Sequence, residues 1–229
     1  MLGVPIKAVA CDIDGTITDA EGRLSCRAVE ALRRLEEQGI MTILISGNAL
    51  CVVKTLKRYI GTSGPVVAEN GGVVEYKGVL KRLGNRSLAE AALRLLKEKF
   101  GERIEESWSN QYRYVDLAIK RSLPIEVLLP LLPSSVKLLD SGYAYHLIDA
   151  EVDKGKGLLR AAAMAGIRAE YIVAVGDSAV DQPMLEAAGW RAVVGNAPLE
   201  LKQIAHYVAS REYGEGFEEI AGWILKSLV

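Results

Sequence analysis

The chain has too few cysteines for a disulfide framework and no excess of charge of one sign. Its 229 residues include only Cys11, Cys26 and Cys51, an odd number without the spacing of a metal site. The 28 Lys and Arg residues nearly balance the 29 Asp and Glu residues, which leaves a net charge of −1. This balance argues against nucleic acid or an acidic membrane surface as a partner.

Long apolar runs, internal repeats and low-complexity linkers are also missing from the sequence. No run approaches the roughly 20 residues that cross a bilayer. The first strand pattern starts within about five residues of Met1, so we expect no signal peptide. Hydrophobic residues make up 50% of the chain, enough for a large core. These features together predict a soluble, cytoplasmic protein that binds neither membranes nor nucleic acid.

Strand patterns alternate with helical patterns, which is typical of a parallel sheet with crossover helices. Ser25 is the predicted N-cap of the first helix, whose apolar stripe begins at Val29. The predicted strands of this part are 6–11, 41–45, 66–68 and 172–175, with helices at 49–59 and 158–165. The sequence therefore predicts an α/β fold with a Rossmann-like parallel-sheet core.

The alternation changes in the middle of the chain, where hairpins become the main pattern. Hairpins are predicted at 73–82 and 136–148, a helix at 87–100, a strand at 113–119 and a short helix at 124–131. We therefore predict a discontinuous core domain of residues 1–72 and 153–229. An α+β cap domain of residues 73–152 is inserted between its two parts, as a lid or as an oligomerisation module.

Two carboxylates follow the first predicted strand at a spacing of two residues. Alternate residues of an extended segment point the same way, so Asp12 and Asp14 can face one pocket. Gly15 then lets the backbone approach a ligand closely. Because paired carboxylates repel each other unless a cation or a proton intervenes, the pattern indicates a hard divalent ion, most economically Mg²⁺. Two aspartates that cap a turn would give the same local pattern.

Three further segments combine an apolar strand or a loop with a following helix. Ser46 ends the second strand, where its hydroxyl could bind an anion or simply cap the helix. Lys154, with Lys156 as a competitor, precedes a helical pattern and offers a charge for phosphate, although a solvated loop has the same composition. Asp177 and Asp181 follow the last strand pattern. The segments together supply a nucleophile, an anion binder, a cation and metal ligands.

These segments resemble, in order, the four motifs of the haloacid dehalogenase superfamily of phosphotransferases. D-x-D-G-T spans residues 12–16 and G-D-x-x-x-D spans 176–181, with Ser46 and Lys154 between them. In length and layout the chain is most similar to the archaeal-type phosphoglycolate phosphatases of that superfamily. The position of Val180 usually carries Asn in this branch, which affects one hydrogen bond near the metal rather than a ligand. The resemblance also covers residues 69–72, 194–197 and 216–219, so it runs nearly end to end.

The resemblance implies a role for each motif carboxylate. Asp12 would be the nucleophile that forms an aspartyl-phosphate. Asp14 would protonate the leaving alkoxide and then accept a proton from the attacking water. Mg²⁺ would bind the Asp12 carboxylate, the main-chain carbonyl of Asp14 and the Asp177 carboxylate. Asp181 would belong to the same metal site, directly or through water.

The resemblance also implies a small phosphate ester as substrate, with Ser46 and Lys154 on its phosphate oxygens. The branch implies 2-phosphoglycolate. Phosphatases of the sucrose-phosphate or mannosyl-3-phosphoglycerate type, phosphomutases and a non-catalytic protein that binds a phosphate ligand stay open. The protein could be a monomer or a homodimer. The substrate carboxylate would need a cation or N–H cluster from the cap, and the candidates are Arg113, Lys120, Arg121 and His146.

Overall fold

A computed structural model describes residues 5–227, which form one large sheet, one small sheet and helices around them. None of the helices in this range is long and apolar enough to cross a bilayer. The strands are β1 (Ala8–Asp12), β2 (Met41–Ile45), β3 (Val66–Ala68), β4 (Val73–Tyr76), β5 (Val79–Arg82), β6 (Leu117–Ile119), β7 (Val136–Asp140), β8 (Tyr145–Asp149), β9 (Ile172–Gly176), β10 (Trp190–Val193) and β11 (Tyr207–Val208). The α-helices are α1 (Cys26–Glu37), α2 (Leu50–Ile60), α3 (Arg86–Phe100), α4 (Ile125–Leu128), α5 (Lys154–Ala165), α6 (Gln182–Ala187), α7 (Leu199–Ile204) and α8 (Tyr213–Lys226).

The large sheet has the strand order β11-β10-β9-β1-β2-β3-β4-β5. Its first six strands are parallel, and β4 and β5 are antiparallel to their neighbours. The central strand β1 pairs with β2 on one side and β9 on the other. The carboxyl ends of these three strands therefore meet at one edge of the sheet. The α/β fold with a parallel-sheet core is confirmed.

Helices cover both faces of this sheet. Alternate residues of β1 point to opposite faces and therefore pack against different helices. Val9 belongs to an apolar cluster that includes Phe217 of α8. Ala10, its neighbour, belongs to a second cluster that includes Leu158 of α5. Ser25 caps α1 as predicted, and its side chain accepts a hydrogen bond from the main-chain N–H of Ala28. Burial on both faces explains why the strands of this sheet are almost continuously apolar.

The small sheet has the order β6-β8-β7 and is antiparallel throughout. Helix α3 packs on it through a separate apolar cluster, in which Ala92 and Leu96 meet Leu117 and Leu147. This unit has its own core, and it contributes residues to a cavity above the carboxyl edge of the large sheet. We call α3, the small sheet and the segments between them the cover, because they lie over the strand ends.

Two predicted elements differ in the structure. The hairpin of β4 and β5, assigned to the cap, extends the large sheet through pairing with β3. The strand predicted at 113–119 is limited to Leu117–Ile119, because the amides before it bind the Glu69 carboxylate instead of a neighbouring strand. The division into a core of 1–72 and 153–229 and a cap of 73–152 stays a prediction.

Candidate active site

A cavity of about 860 Å³ lies between the strand ends of the large sheet and the cover formed by the small sheet. Asp12, Asp14, Asp177 and Lys154 line it, so four of the six predicted site residues share one cavity. The other two, Ser46 and Asp181, are fully buried within hydrogen-bond distance of these residues. The structure therefore brings all six predicted residues together.

Lys154 lies between two carboxylates at the floor of the cavity. Its Nζ is 2.6 Å from Asp12 Oδ1 and 2.6 Å from Asp181 Oδ1, and all three side chains are buried. Burial alone would lower the pKa of Lys154, but the two carboxylates raise it above its ordinary value. The competing Lys156 is exposed and binds Glu151. Lys154 is therefore a fixed cation beside the predicted nucleophile.

Lys154 was predicted to lie in a loop, but it is the first residue of α5. Asp153 explains this difference, because its side chain accepts a hydrogen bond from the main-chain N–H of Lys156 and caps the helix one turn earlier. A lysine in a first helical turn opposes the helix dipole. Its two ion pairs hold it there nevertheless.

Three carboxylates could hold a metal ion. One oxygen each of Asp12, Asp177 and Asp181 lies within 4.8 Å of the other two. Burial raises the pKa of Asp12 well above its usual value. Asp181 and Asp177 raise this pKa further, whereas the positive charge of Lys154 lowers it. Burial and Asp181 raise the pKa of Asp177 to about 7. An all-oxygen, negatively charged donor set of this kind fits a hard divalent cation such as Mg²⁺.

Asp181 differs from the other two carboxylates because it accepts the most hydrogen bonds of the three, four in all. Oδ2 accepts from the main-chain N–H groups of Asp177 and Ser178, each at 3.0 Å, and from the Ser178 hydroxyl at 3.1 Å. Oδ1 faces Lys154. Asp181 therefore shapes the loop that carries Asp177 and orients Lys154. Val180, the residue that departs from the branch pattern, lines the cavity next to it.

Asp14 lies outside the three-carboxylate group and faces the end of β2. Its Oδ2 accepts hydrogen bonds from Asn48 Nδ2 at 2.8 Å and from Ser46 Oγ at 3.4 Å. Burial raises the pKa of Asp14, although Lys154 and these two hydrogen bonds oppose the shift. Ser46 Oγ also accepts from the main-chain N–H of Asn48 at 3.0 Å. The sequence did not predict a role for Asn48, and its position two residues after Ser46 was the available signal.

The loop after β1 is held by residues to which the sequence gave no role. Thr16 Oγ1 donates to Asp177 Oδ1 at 3.0 Å. Asn196 Nδ2 donates to the carbonyl of Gly15 at 3.0 Å, and its Oδ1 accepts from the main-chain N–H of Tyr213 at 2.7 Å. Gly15 has a φ of +88°, and a Cβ there would lie 2.3 Å from Asp177 Oδ2. The loop can approach Asp177 only because Gly15 has no side chain.

A buried carboxylate connects the cover to the large sheet. Glu69, fully buried after β3, accepts hydrogen bonds from the consecutive amides of Tyr114, Val115 and Asp116, the shortest at 2.7 Å. Burial and the nearby Asp116 raise the pKa of Glu69 to about 7, against these hydrogen bonds. Asn70 adds a bond to Asp116 Oδ2 at 3.4 Å. The segment before β6 is thereby fixed to the core.

Two of the four candidate cations of the cap lie in the cavity. Asp116, fully buried, binds Arg113 Nη1 at 2.6 Å and His146 Nδ1 at 2.8 Å. Both partners line the cavity and are buried. Lys120 and Arg121 instead lie on the surface, in ion pairs. The cover therefore presents one paired arginine and one histidine to the predicted site.

Comparison with known proteins agrees with this geometry. The family model described as haloacid dehalogenase-like hydrolase matches residues 9–121 and 130–219. Phosphoglycolate phosphatase of Methanospirillum hungatei is 40% identical over 94% of this chain and 95% of its own. The enzyme of the same name from Methanothermobacter thermautotrophicus is 41% identical over 95% of this chain and 100% of its own. The crystal structure of protein 0175 of Thermoplasma acidophilum superposes with a TM-score of 0.88 at 26% identity, covering 97% of this chain and 99% of that one.

The match extends over both sheets and over every motif residue of the cavity. The family was expected from the four motifs, and the family model, the relatives and the fold now agree with that expectation. The chain belongs to the haloacid dehalogenase-like hydrolases.

Proposed function

We propose that the protein is a Mg²⁺-dependent phosphomonoester hydrolase that converts 2-phosphoglycolate to glycolate and phosphate through an aspartyl-phosphate. One observation carries this proposal: the Asp12 carboxylate ends a central strand, 2.6 Å from a buried lysine and beside two further carboxylates. The substrate follows the relatives, which are named phosphoglycolate phosphatase at about 40% identity over nearly the whole chain.

In the first step, a carboxylate oxygen of Asp12 attacks the phosphorus and the ester P–O bond breaks. The leaving alkoxide takes a proton from the carboxyl group of Asp14. The raised pKa of Asp14, caused by burial, favours the protonated form that this role needs. Lys154 offsets the negative charge that would otherwise repel a phosphate dianion from Asp12.

In the second step, water attacks the phosphorus of the aspartyl-phosphate and gives a proton to Asp14. The bond between the phosphorus and Asp12 breaks, which releases phosphate and restores both carboxyl groups. Ser46 and Asn48 hold Asp14 at the end of β2 through both steps. The hydrogen bond from Asn48 is the shorter, so Asn48 is the main positioning group for this acid.

The residues that would hold Mg²⁺ are the carboxylates of Asp12 and Asp177 and the main-chain carbonyl of Asp14. Asp181 would support them, since its two oxygens already accept four hydrogen bonds from protein groups. A bound Mg²⁺ would neutralise charge on the carboxylates and on the transferred phosphoryl group. Thr16 and Asn196 keep Asp177 in place for this role.

We also propose that the inserted unit is a lid. It forms one wall of the cavity, and closure over the carboxylates would exclude bulk water while the phosphoryl group is transferred.

A panel of phosphate esters tests the function directly. Phosphate release with Mg²⁺ is measured for 2-phosphoglycolate, sucrose 6-phosphate, mannosyl-3-phosphoglycerate and hexose phosphates. We expect 2-phosphoglycolate to lead in kcat/KM by about tenfold or more, about 1.4 kcal/mol in transition-state energy. Sugar phosphates in the lead would reject the substrate and keep the mechanism. Release from none of them would favour a non-catalytic protein.

The covalent mechanism has a separate test. Asp12→Asn should reduce turnover by many orders of magnitude, because an amide does not form the aspartyl-phosphate. Glu98→Gln is the matched control, since Glu98 is an exposed carboxylate of α3 that does not line the cavity. EDTA should abolish wild-type activity and Mg²⁺ restore it. Substantial activity of Asp12→Asn, or indifference to EDTA, would contradict the mechanism or the metal respectively.

The sugar-phosphate alternative is favoured by the size of the site. A cavity of about 860 Å³ is larger than 2-phosphoglycolate requires. Trp108 and Tyr143 at its lining are 74% and 70% exposed, which would suit stacking against a sugar ring. The same panel distinguishes the two substrate classes.

A further inference from the structure

The cavity contains a buried cation on each of its two sides. Lys154 comes from the core and lies beside Asp12. Arg113 comes from the cover and is 8% exposed. Both residues line the same cavity. Burial of a positive side chain is unfavourable unless it is paired or binds a ligand, and Arg113 is paired with the buried Asp116. The open question is what its remaining N–H groups bind.

Arg113 is held in one orientation by three groups. Its Nε donates to Ser109 Oγ at 3.1 Å, and its Nη1 donates to Asp116 Oδ1 at 2.6 Å and to the carbonyl of Gly47 at 3.0 Å. Within residues 5–227, its Nη2 donates to no protein group. An arginine with a purely structural role would be expected to use both arms of its guanidinium fork. Here one arm is fixed, and the other has no partner among residues 5–227.

The fixed arm connects Arg113 to the segment that holds Asp14. Gly47, whose carbonyl it binds, lies between Ser46 and Asn48 in the chain, and both of these side chains hold Asp14. Arg113, Gly47 and Asp14 all line the same cavity. The arginine and the group that would protonate the leaving alkoxide are therefore fixed by one segment of the core, residues 46–48.

A substrate bound at both places would carry an anionic group at each end. Its phosphate would meet Lys154, and its other end would meet the guanidinium. 2-Phosphoglycolate carries such a second anion, since its carboxylate is separated from the phosphate ester oxygen by a single carbon. Nη2 can donate a charge-assisted hydrogen bond to such a carboxylate while Nη1 stays on Asp116, and a lysine ammonium cannot hold both partners in this fixed geometry.

We propose that Arg113 determines substrate specificity by binding the carboxylate of a small phosphorylated hydroxy acid. This proposal rests on the proposed function and assigns the residue that reads the non-phosphate end. Asp116 is the positioning residue, because it fixes Nη1 and leaves Nη2 for the substrate. Hydroxyl-rich sugar phosphates lack this second anion and would gain little from the arginine.

The proposal is tested with Arg113→Gln and Arg113→Lys, using 2-phosphoglycolate and p-nitrophenyl phosphate as substrates. Arg113→Gln should lower kcat/KM for 2-phosphoglycolate by about 10- to 100-fold, mainly through KM, because the positive charge and its charge-assisted hydrogen bond are lost. Hydrolysis of p-nitrophenyl phosphate, which has no carboxylate, should stay within about threefold. Arg113→Lys should recover only part of the loss. Arg94→Gln, at an exposed arginine of α3 that does not line the cavity, is the control and should change neither rate.

Equal losses on both substrates would overturn the proposal, since they would mean that Arg113 only supports the cover. Unchanged rates on both would overturn it as well. Failure of the proposed function is visible in the wild type instead. If wild-type protein hydrolyses p-nitrophenyl phosphate and not 2-phosphoglycolate, the substrate assignment fails before any variant is compared, and the proposal about Arg113 fails with it.

A measurement on the wild type covers the case in which Arg113→Gln does not fold. Two phosphonates are compared as inhibitors of p-nitrophenyl phosphate hydrolysis. The first is 3-phosphonopropionate, which has the length of 2-phosphoglycolate with a methylene in place of the ester oxygen. The second is propylphosphonate, in which a methyl group replaces the carboxylate. The first should bind at least tenfold more tightly. Equal inhibition would overturn the proposal without any mutation.

Discussion

Removing one negative charge from the carboxylate group should stabilise the protein when no metal is bound. The substitution is Asp177→Asn, which keeps the size of the side chain and leaves an oxygen for Thr16 Oγ1. In the metal-free protein this carboxylate is held near Asp12 and Asp181 and is partly buried. Its ionisation is therefore unfavourable to folding, and an amide avoids that cost.

The size of the effect follows from the pKa of Asp177. Burial and Asp181 raise it from 3.8 to about 7. A shift of about three units at about 1.36 kcal/mol per unit gives about 4 kcal/mol at pH 8. The hydrogen bond from Thr16 becomes weaker on a neutral amide, and the long one from Asn196 is lost because an amide nitrogen does not accept; together these return about 1 kcal/mol. We expect Asp177→Asn to unfold with a free energy about 3 kcal/mol higher than that of the wild type in EDTA at pH 8.

The effect should depend on pH in a known direction. The folded pKa of Asp177 is above the unfolded one, so the folded protein binds more protons between about pH 4 and pH 7. The free energy of unfolding of the wild type therefore falls as the pH rises through this range. Asp177→Asn has no carboxyl group at this position, so its stability does not show this fall. At pH 5 the gain from the substitution should shrink to about 1 kcal/mol or less, since most of the penalty is then removed by protonation.

Urea unfolding followed by circular dichroism, in EDTA at pH 5 and pH 8, measures these differences. Asp140→Asn, on the exposed β7 strand end, is the control and should change neither value. Added Mg²⁺ should stabilise the wild type at pH 8 and stabilise Asp177→Asn much less. A raised pKa of Asp177 is refuted if Asp177→Asn is less stable than the wild type at pH 8, or if its gain in stability is the same at both pH values.

Two further substitutions test how the site is held. Gly15→Ala should reduce activity at least 100-fold, because the added Cβ would lie 2.3 Å from Asp177 Oδ2. Gly78→Ala is the control, since Gly78 has a similar φ of +82° and open surroundings. It should cost about 1 kcal/mol of stability and leave kcat unchanged. Glu69→Gln should speed hydrogen exchange of the main-chain N–H groups of residues 114–116, which donate to the Glu69 carboxylate. The reason is that glutamine offers one neutral oxygen in place of two charged ones. Unaltered activity of Gly15→Ala or unaltered exchange of Glu69→Gln would contradict the respective assignment.

The strand ends of the site could be predicted from the sequence because the signal is local. Asp12, Ser46 and Asp177 each follow an apolar run, and the carboxyl ends of parallel strands meet at one edge. Lys154 was identified through its motif, although its placement in a loop was wrong. The N-cap hydrogen bond of Asp153 starts the helix there, and this bond depends on main-chain geometry rather than on apolar periodicity.

The contacts between the cover and the core could not be predicted in the same way. Glu69 and the amides that it binds are about 45 residues apart in the chain, and nothing in either segment identifies the other. Arg113 and His146 were named only as cations of the cap, equal to Lys120 and Arg121. Arg113 and His146 differ from the two surface residues because both bind the buried Asp116. This is a tertiary contact, and no periodic pattern in the sequence indicates it.

The anchoring of the cover also sets how it can move. Its two chain connections run side by side, since the main-chain N–H of Asn85 donates to Asp149 at 3.0 Å, and so they act as a single attachment. The Glu69 carboxylate and the Gly47 carbonyl, which bind residues 113–116 of the cover, provide a second attachment. Rotation about the line between the two attachments would keep both. Tyr143 of the cover faces Gly22 of the core and belongs to neither attachment, so such a rotation would open the cavity there. Glycolate and phosphate would leave through this rim, and the width of its opening would limit the size of an entering ester.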